Sequence, residues 1–198
     1  MGLFTNKQNA NAQLSERQLL EGRYANARNN ILLVVGLTVI NIILLVTNSN
    51  TYFLFSAYIP FVIADFGMFF CGMYPAEYYA GGFEDMEFFP KEVFAVAMVI
   101  AAVILILYIL CWIFSKKFKS GWIIAALVFF AIDTAAMILL NGFVMDSLID
   151  YVIHAWVIFS FVNGLTAFSK LKKLPAENAD AFVVNGEPLA QEEQQQAE

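Results

Sequence analysis

The fold class predicted by this sequence is an all-α, polytopic transmembrane bundle with five hydrophobic helices. Apolar residues make up 60% of the chain and charged residues only 14%, against about half and a quarter in an ordinary soluble domain. The apolar residues fall into five runs, Ile31 to Thr47, Tyr52 to Met73, Val93 to Phe114, Trp122 to Leu140 and Leu148 to Phe168. Each run is roughly 17 to 22 residues long, enough to span hydrocarbon as a helix. Alternating segments of about 10 residues, the mark of a membrane barrel, are absent.

Residues 1–30 read as a polar cytoplasmic leader. Ser15 and Gln18 fit a capping box, and Arg17 with Glu21 supports a short surface helix. Arg17, Arg23 and Arg28 lead into the first run as a positive-inside anchor. The polar stretch before Ile31 is unlike a secretory signal, so the first run reads as an uncleaved span.

The second run holds Pro60, Asp65 and Gly67. Pro and Gly weaken a regular helix, and a carboxylate resists lipid. The segment 74–92 is an acidic, aromatic loop. Glu77, Glu84, Asp85, Glu87 and Glu92 face a single Lys91, with Tyr78, Tyr79, Phe83, Phe88 and Phe89 interleaved. Such tyrosines favour the headgroup level. Trp112 and Trp122 flank the turn of Lys116, Lys117 and Lys119 as interface anchors. Residues 169–198 open with Lys170, Lys172 and Lys173 and continue as a Glu- and Gln-rich segment without apolar periodicity, the composition of a disordered acidic cytoplasmic tail.

Five crossings divide the basic residues five against six, with no bias. Four crossings put the leader and both lysine clusters on one side, leaving only Lys91 on the other. One run must then enter and leave on the same side, and the second run is the candidate. Five ordinary spans remain the alternative.

Three ionisable residues interrupt the runs: Asp65, Asp133 and His154. A charge in hydrocarbon is costly and usually faces a protein interior or a wet cavity. The link between the fourth and fifth runs is short, so these helices should be antiparallel neighbours. Asp133 then lies roughly 10 Å below one end and His154 roughly 9 Å below the same end. Asp150 lies one turn above His154, and Asp65 roughly 12 Å from Met73. Three chemistries fit Asp65, Asp133, Asp150 and His154. The first is a polar clasp between helices. The second is a protonatable relay or cation site, since histidine titrates near neutrality and burial alters a carboxylate's titration. The third is a divalent-metal site of unassigned identity.

Asn41 and Asn163 are candidates for interhelical hydrogen bonds, and the pairs Ala97/Ala101 and Ala131/Ala135 for close helix contact. Cys71 and Cys111 read as small buried hydrophobes, with no zinc spacing. No zinc-protease helix, nucleophile elbow or Walker loop occurs, so neither enzyme chemistry nor a cofactor is expected. The net charge of −6 argues against nucleic acid. The expected surroundings are a lipid bilayer and a homo-oligomer or larger membrane complex. The expected function is a small proton- or cation-linked transporter or channel-like protein, or else a non-catalytic accessory subunit.

The segments Arg23 to Ile31 and Thr51 to Pro60 resemble those of small, uncharacterised multi-pass membrane proteins of Gram-positive bacteria. The resemblance covers mainly the first third of the chain. It implies a bacterial plasma membrane and brings no activity or site.

Overall fold

The computed structural model describes residues 2–49, 51–83, 85–116, 119–142, 144–174, 183–184 and 187–188, with side chains over 16–174 except that of Asp146. Five α-helices occur in the order α1 (Gly2–Val46), α2 (Tyr58–Phe70), α3 (Lys91–Phe114), α4 (Ser120–Asn141) and α5 (Leu148–Leu171). Four of them, α1 from Glu16 and all of α3, α4 and α5, are long and apolar enough to cross a membrane. Beyond Leu174, the described residues show a two-residue antiparallel pairing of Val183–Val184 with Glu187–Pro188. The rest of the expected disordered tail lies outside the described residues.

Each long helix turns one narrow stripe inward. On α1 the stripe is Leu20, Tyr24, Ala27, Ile31, Val34, Thr38 and Asn41, all buried. Its steps of four and three residues follow the heptad seam of packed helices. The stripe on α4 is Ile123, Ala126, Phe130, Asp133 and Met137, and on α5 it includes Tyr151, His154, Val157, Phe161 and Gly164. The outward faces are also apolar: Val99 is 63% exposed, Phe159 66% and Leu139 82%. A water-soluble monomer rarely shows contiguous apolar surface on this scale.

The expected boundary between leader and first span does not exist in the backbone. Ser15 lies inside α1 rather than at its start, and one helix runs on to Val46. The inward stripe crosses the hydropathy boundary without a break, because Leu20, Tyr24 and Ala27 are already buried. Ala27 meets Gly164 of α5 so closely that a Cβ on Gly164 would lie 2.3 Å from the Ala27 Cβ.

The second run departs most from a five-helix bundle. Residues 51–57 are not helical, and α2 has only 13 residues. At 1.5 Å per residue it is about 20 Å long, short of a hydrocarbon core of about 30 Å. The chain leaves α1 at Val46 and doubles back along it. Phe53 bonds to Asn41, and Ala57 bonds to Thr38 one turn deeper. Helix α2 then returns alongside α3, with Gly67 against Phe94 and Ala97. Both ends of the run therefore lie at one end of the bundle. Pro60 and Gly67 do not disturb α2. Pro60 sits in its first turn, where a missing N–H costs nothing, and Gly67 lets α3 approach.

The four long helices alternate in direction, so the two ends differ in charge. At one end, Arg28 of α1 donates to Ser115 Oγ at 3.0 Å, and Tyr24 donates to the Ser115 carbonyl at 2.9 Å. Arg17 and Glu21 share a cleft with Leu171 and Lys172. Arg17 and Arg28 of α1, Lys116 just after α3 and Lys172 just after α5 thus lie at one basic end. The opposite end carries the 74–92 loop, folded back so that the Phe89 N–H donates to the Phe70 carbonyl at 2.9 Å. Tyr79 packs on Phe69 and Phe88 there, with ring centroids 5.3 and 4.9 Å apart.

Gly164→Leu should push α1 from α5 and cost about 1–3 kcal/mol. Gly36→Ala, with nothing within 4 Å of the added Cβ, should be neutral or stabilise by about 0.5–1 kcal/mol. Thermal unfolding in detergent, followed by circular dichroism, checks the contrast.

Candidate functional site

A helix that begins inside a bundle exposes N–H groups that no earlier turn can satisfy. The local sequence offers α2 no help, since its N-cap is Ala57 and makes no side-chain cap. Other helices supply the partners. Thr38 Oγ1 of α1 accepts the Ala57 N–H at 2.7 Å. Asp133 of α4 accepts the Tyr58 N–H on Oδ2 at 2.8 Å and the Ile59 N–H on Oδ1 at 2.7 Å. Pro60 has no N–H to satisfy. The first four positions are thereby all accounted for.

The approach to this start is pinned as well. Asn41 donates to the Phe53 carbonyl and accepts the Phe53 N–H, both at 2.7 Å. Phe55 adopts φ 67°, a left-handed conformation unusual for a bulky side chain. It lies between the two anchored residues and packs edge-on against Trp156 at 5.5 Å.

His154 of α5 completes the centre. Its Nδ1 lies 2.9 Å from the Asp150 carbonyl oxygen. A carbonyl only accepts, so this nitrogen carries a hydrogen. Its Nε2 faces Asp133 Oδ2 at 3.7 Å, beyond a hydrogen bond, and is buried with no other partner among the described residues. The imidazole stacks on Phe130, with centroids 5.0 Å apart and planes 17° apart. An unprotonated Nε2 would set a lone pair against the carboxylate. One proton at this contact, on either partner, replaces that opposition with attraction.

Asp65 and Asp150 occupy a different place. They line a cleft of about 240 Å³ at the acidic end, with Tyr52, Tyr58, Met137 and Asn141. Tyr74 donates to Asp65, and Tyr58 donates to Asn141 at 2.7 Å. Burial first, and the bond to Asp65 second, hold the Tyr74 phenol proton well above the ordinary tyrosine range. The expected level of Asp133 with His154 is therefore found, and Asp150 lies on the same helix face above them. Asp65 stands apart with Asp150 in the cleft. Among the described residues, no three His, Cys, Asp or Glu side chains converge as a metal-binding group.

Thr38 was not singled out from the sequence, because a threonine in a membrane helix commonly bonds its own turn. It does so here, donating to the Val34 carbonyl at 2.7 Å, while its lone pair takes Ala57. The signal was its place in the α1 stripe three residues before Asn41. The chain matches no protein-family model, no curated protein and no solved structure.

Asp133→Leu leaves two buried N–H groups unpaired and should lower stability by about 3 kcal/mol or more. Thr38→Val leaves one, and should cost about 1–2 kcal/mol. Unfolding in mixed micelles read by tryptophan fluorescence measures both, and an unchanged Asp133→Leu midpoint would contradict the capping role.

Proposed function

We propose that this chain is an integral protein of a bacterial plasma membrane, with four crossings and a re-entrant α2. Its basic end lies in the cytoplasm. Ten of the eleven basic residues, all but Lys91, then fall on the cytoplasmic side, as the positive-inside rule requires. The apolar outward faces of α3, α4 and α5 meet lipid.

Within that frame the protein is a proton-linked, transporter-like device centred on Asp133 and His154. The observation that carries this reading is the buried, unpartnered Nε2 of His154, 3.7 Å from a carboxylate that also holds the start of α2. Protonation at this contact acts on a helix terminus placed inside the bundle. Discontinuous helices whose termini meet charge near the midplane are a recurrent device of secondary transporters. The cleft of Asp65 and Asp150 is the approach from outside, and its acidity favours cations.

A second reading makes the chain a non-catalytic accessory subunit of a homo-oligomer or larger complex. One observation favours it: both oxygens of Asp133 are committed to the α2 backbone, and that alone accounts for a buried carboxylate.

Reconstituted vesicles loaded with a pH-sensitive dye separate the two. The transport reading predicts proton movement under an imposed membrane potential, falling to the level of protein-free vesicles in His154→Gln with folding retained. No proton movement by the native chain favours the accessory reading, and full movement by His154→Gln would contradict the role given to His154.

A further inference from the structure

A second polar feature lies between α1 and α5, at the basic end and facing outward. It is a groove of about 330 Å³ lined by Arg23, Asn26, Asn29, Asn30, Trp156, Phe159, Ser160 and Asn163. Amides on the outer face of two apolar helices need an explanation, because unpaired polar groups against lipid are costly. Asn30 is paired with Ser160 across the groove at 2.5 Å.

The lining is ordered along the helix axes. Ala27 abuts Gly164, which sets the register of α1 against α5. Arg23 lies one turn nearer the basic end than Ala27. Asn26 and Asn163 flank the Ala27–Gly164 contact, Asn30 and Ser160 lie one turn deeper, and Trp156 with Phe159 forms the deepest part. From the end inward the groove is cationic, then amide-lined, then aromatic. A phospholipid has the same order: phosphate, glycerol and ester, acyl chain. Among the described residues no carboxylate lines the groove, so the Arg23 charge favours an anion. A guanidinium also matches phosphate geometry.

We propose that this α1–α5 groove is a binding site for an anionic phospholipid of the cytoplasmic leaflet. Arg23 engages the phosphate, Asn26 and Asn163 hydrogen-bond the headgroup and glycerol region, and Trp156 with Phe159 carries the acyl chains. Basic pockets between membrane helices at the cytoplasmic face are a recognised way of holding such lipids. The site rests on the four-crossing membrane reading but not on proton movement.

The test is native mass spectrometry of the purified full chain in detergent, titrated with phosphatidylglycerol or phosphatidylcholine. The native chain should retain phosphatidylglycerol in preference to phosphatidylcholine. Arg23→Gln should lower phosphatidylglycerol occupancy about fivefold, and Asn163→Leu should lower it independently. Lys119→Gln removes a charge from the same end but outside the groove and should leave occupancy unchanged. Equal retention of the two lipids, a loss as large in Lys119→Gln as in Arg23→Gln, or displacement of bound lipid by soluble glycerol phosphate would overturn the proposal. A chain that stays monodisperse in buffer without detergent would instead overturn the membrane reading beneath it.

Discussion

The rest of the structure depends on one constraint: helix α2 starts inside a helical bundle, with Ser56, Ala57 and Tyr58 buried, and the N–H groups at that start must be paired there. An unmatched N–H in such a place costs on the order of 1–3 kcal/mol. Thr38, Asn41 and Asp133 meet that demand from two different helices. Their presence on the inward stripes ties α1 and α4 to the start of α2. The direction of α2, its close packing on α3 and the left-handed turn at Phe55 follow from where that start is fixed. Asp133 meets the positive end of a helix dipole there, so the same geometry that holds α2 gives a buried carboxylate its setting.

That setting makes structure and acid–base chemistry hard to separate. The oxygen that caps Tyr58 is also the one facing His154 Nε2. A change in the pair's protonation is therefore also a change in the anchor of α2. The Asp65–Asp150 cleft, the stacked Phe130 and the Phe55–Trp156 contact surround this anchor from different elements. The groove of Arg23 and the asparagines opens toward the opposite, basic end and shares Trp156 with the Phe55 contact.

Much of this was legible in the sequence, and the failures have physical causes. Hydropathy located α3, α4 and α5 to within a few residues, because apolar residues dominate each of them and only isolated polar residues interrupt α4 and α5. Equal depth for Asp133 and His154 followed from helical rise and a short link, and the two do face each other. The basic-residue count called for one run that does not cross, and Pro60, Asp65 and Gly67 pointed to the second. Hydropathy misplaced the start of α1, since helix continuity there is carried by Leu20, Tyr24 and Ala27 at heptad spacing and not by mean polarity. It also gave the second run its full length, because Tyr52 to Ala57 is apolar whether helical or extended. Pro60 and Gly67 looked like breaks, yet the break lies before them, at residues whose partners are far away in the chain. The partners of Thr38 and Asn41 were beyond reach for the same reason, since capping from another helix leaves no local motif.

The most direct test of the re-entrant path is the sidedness of three positions. Single cysteines at Asn11, Glu87 and Lys119, in a background lacking Cys71 and Cys111, are exposed to a membrane-impermeant maleimide on intact cells and after permeabilisation. A four-crossing chain predicts labelling of Glu87→Cys on intact cells, and of Asn11→Cys and Lys119→Cys only after permeabilisation. Labelling of Asn11→Cys and Lys119→Cys from opposite sides would mean that the second run crosses, and would contradict an α2 anchored within the bundle by Asp133.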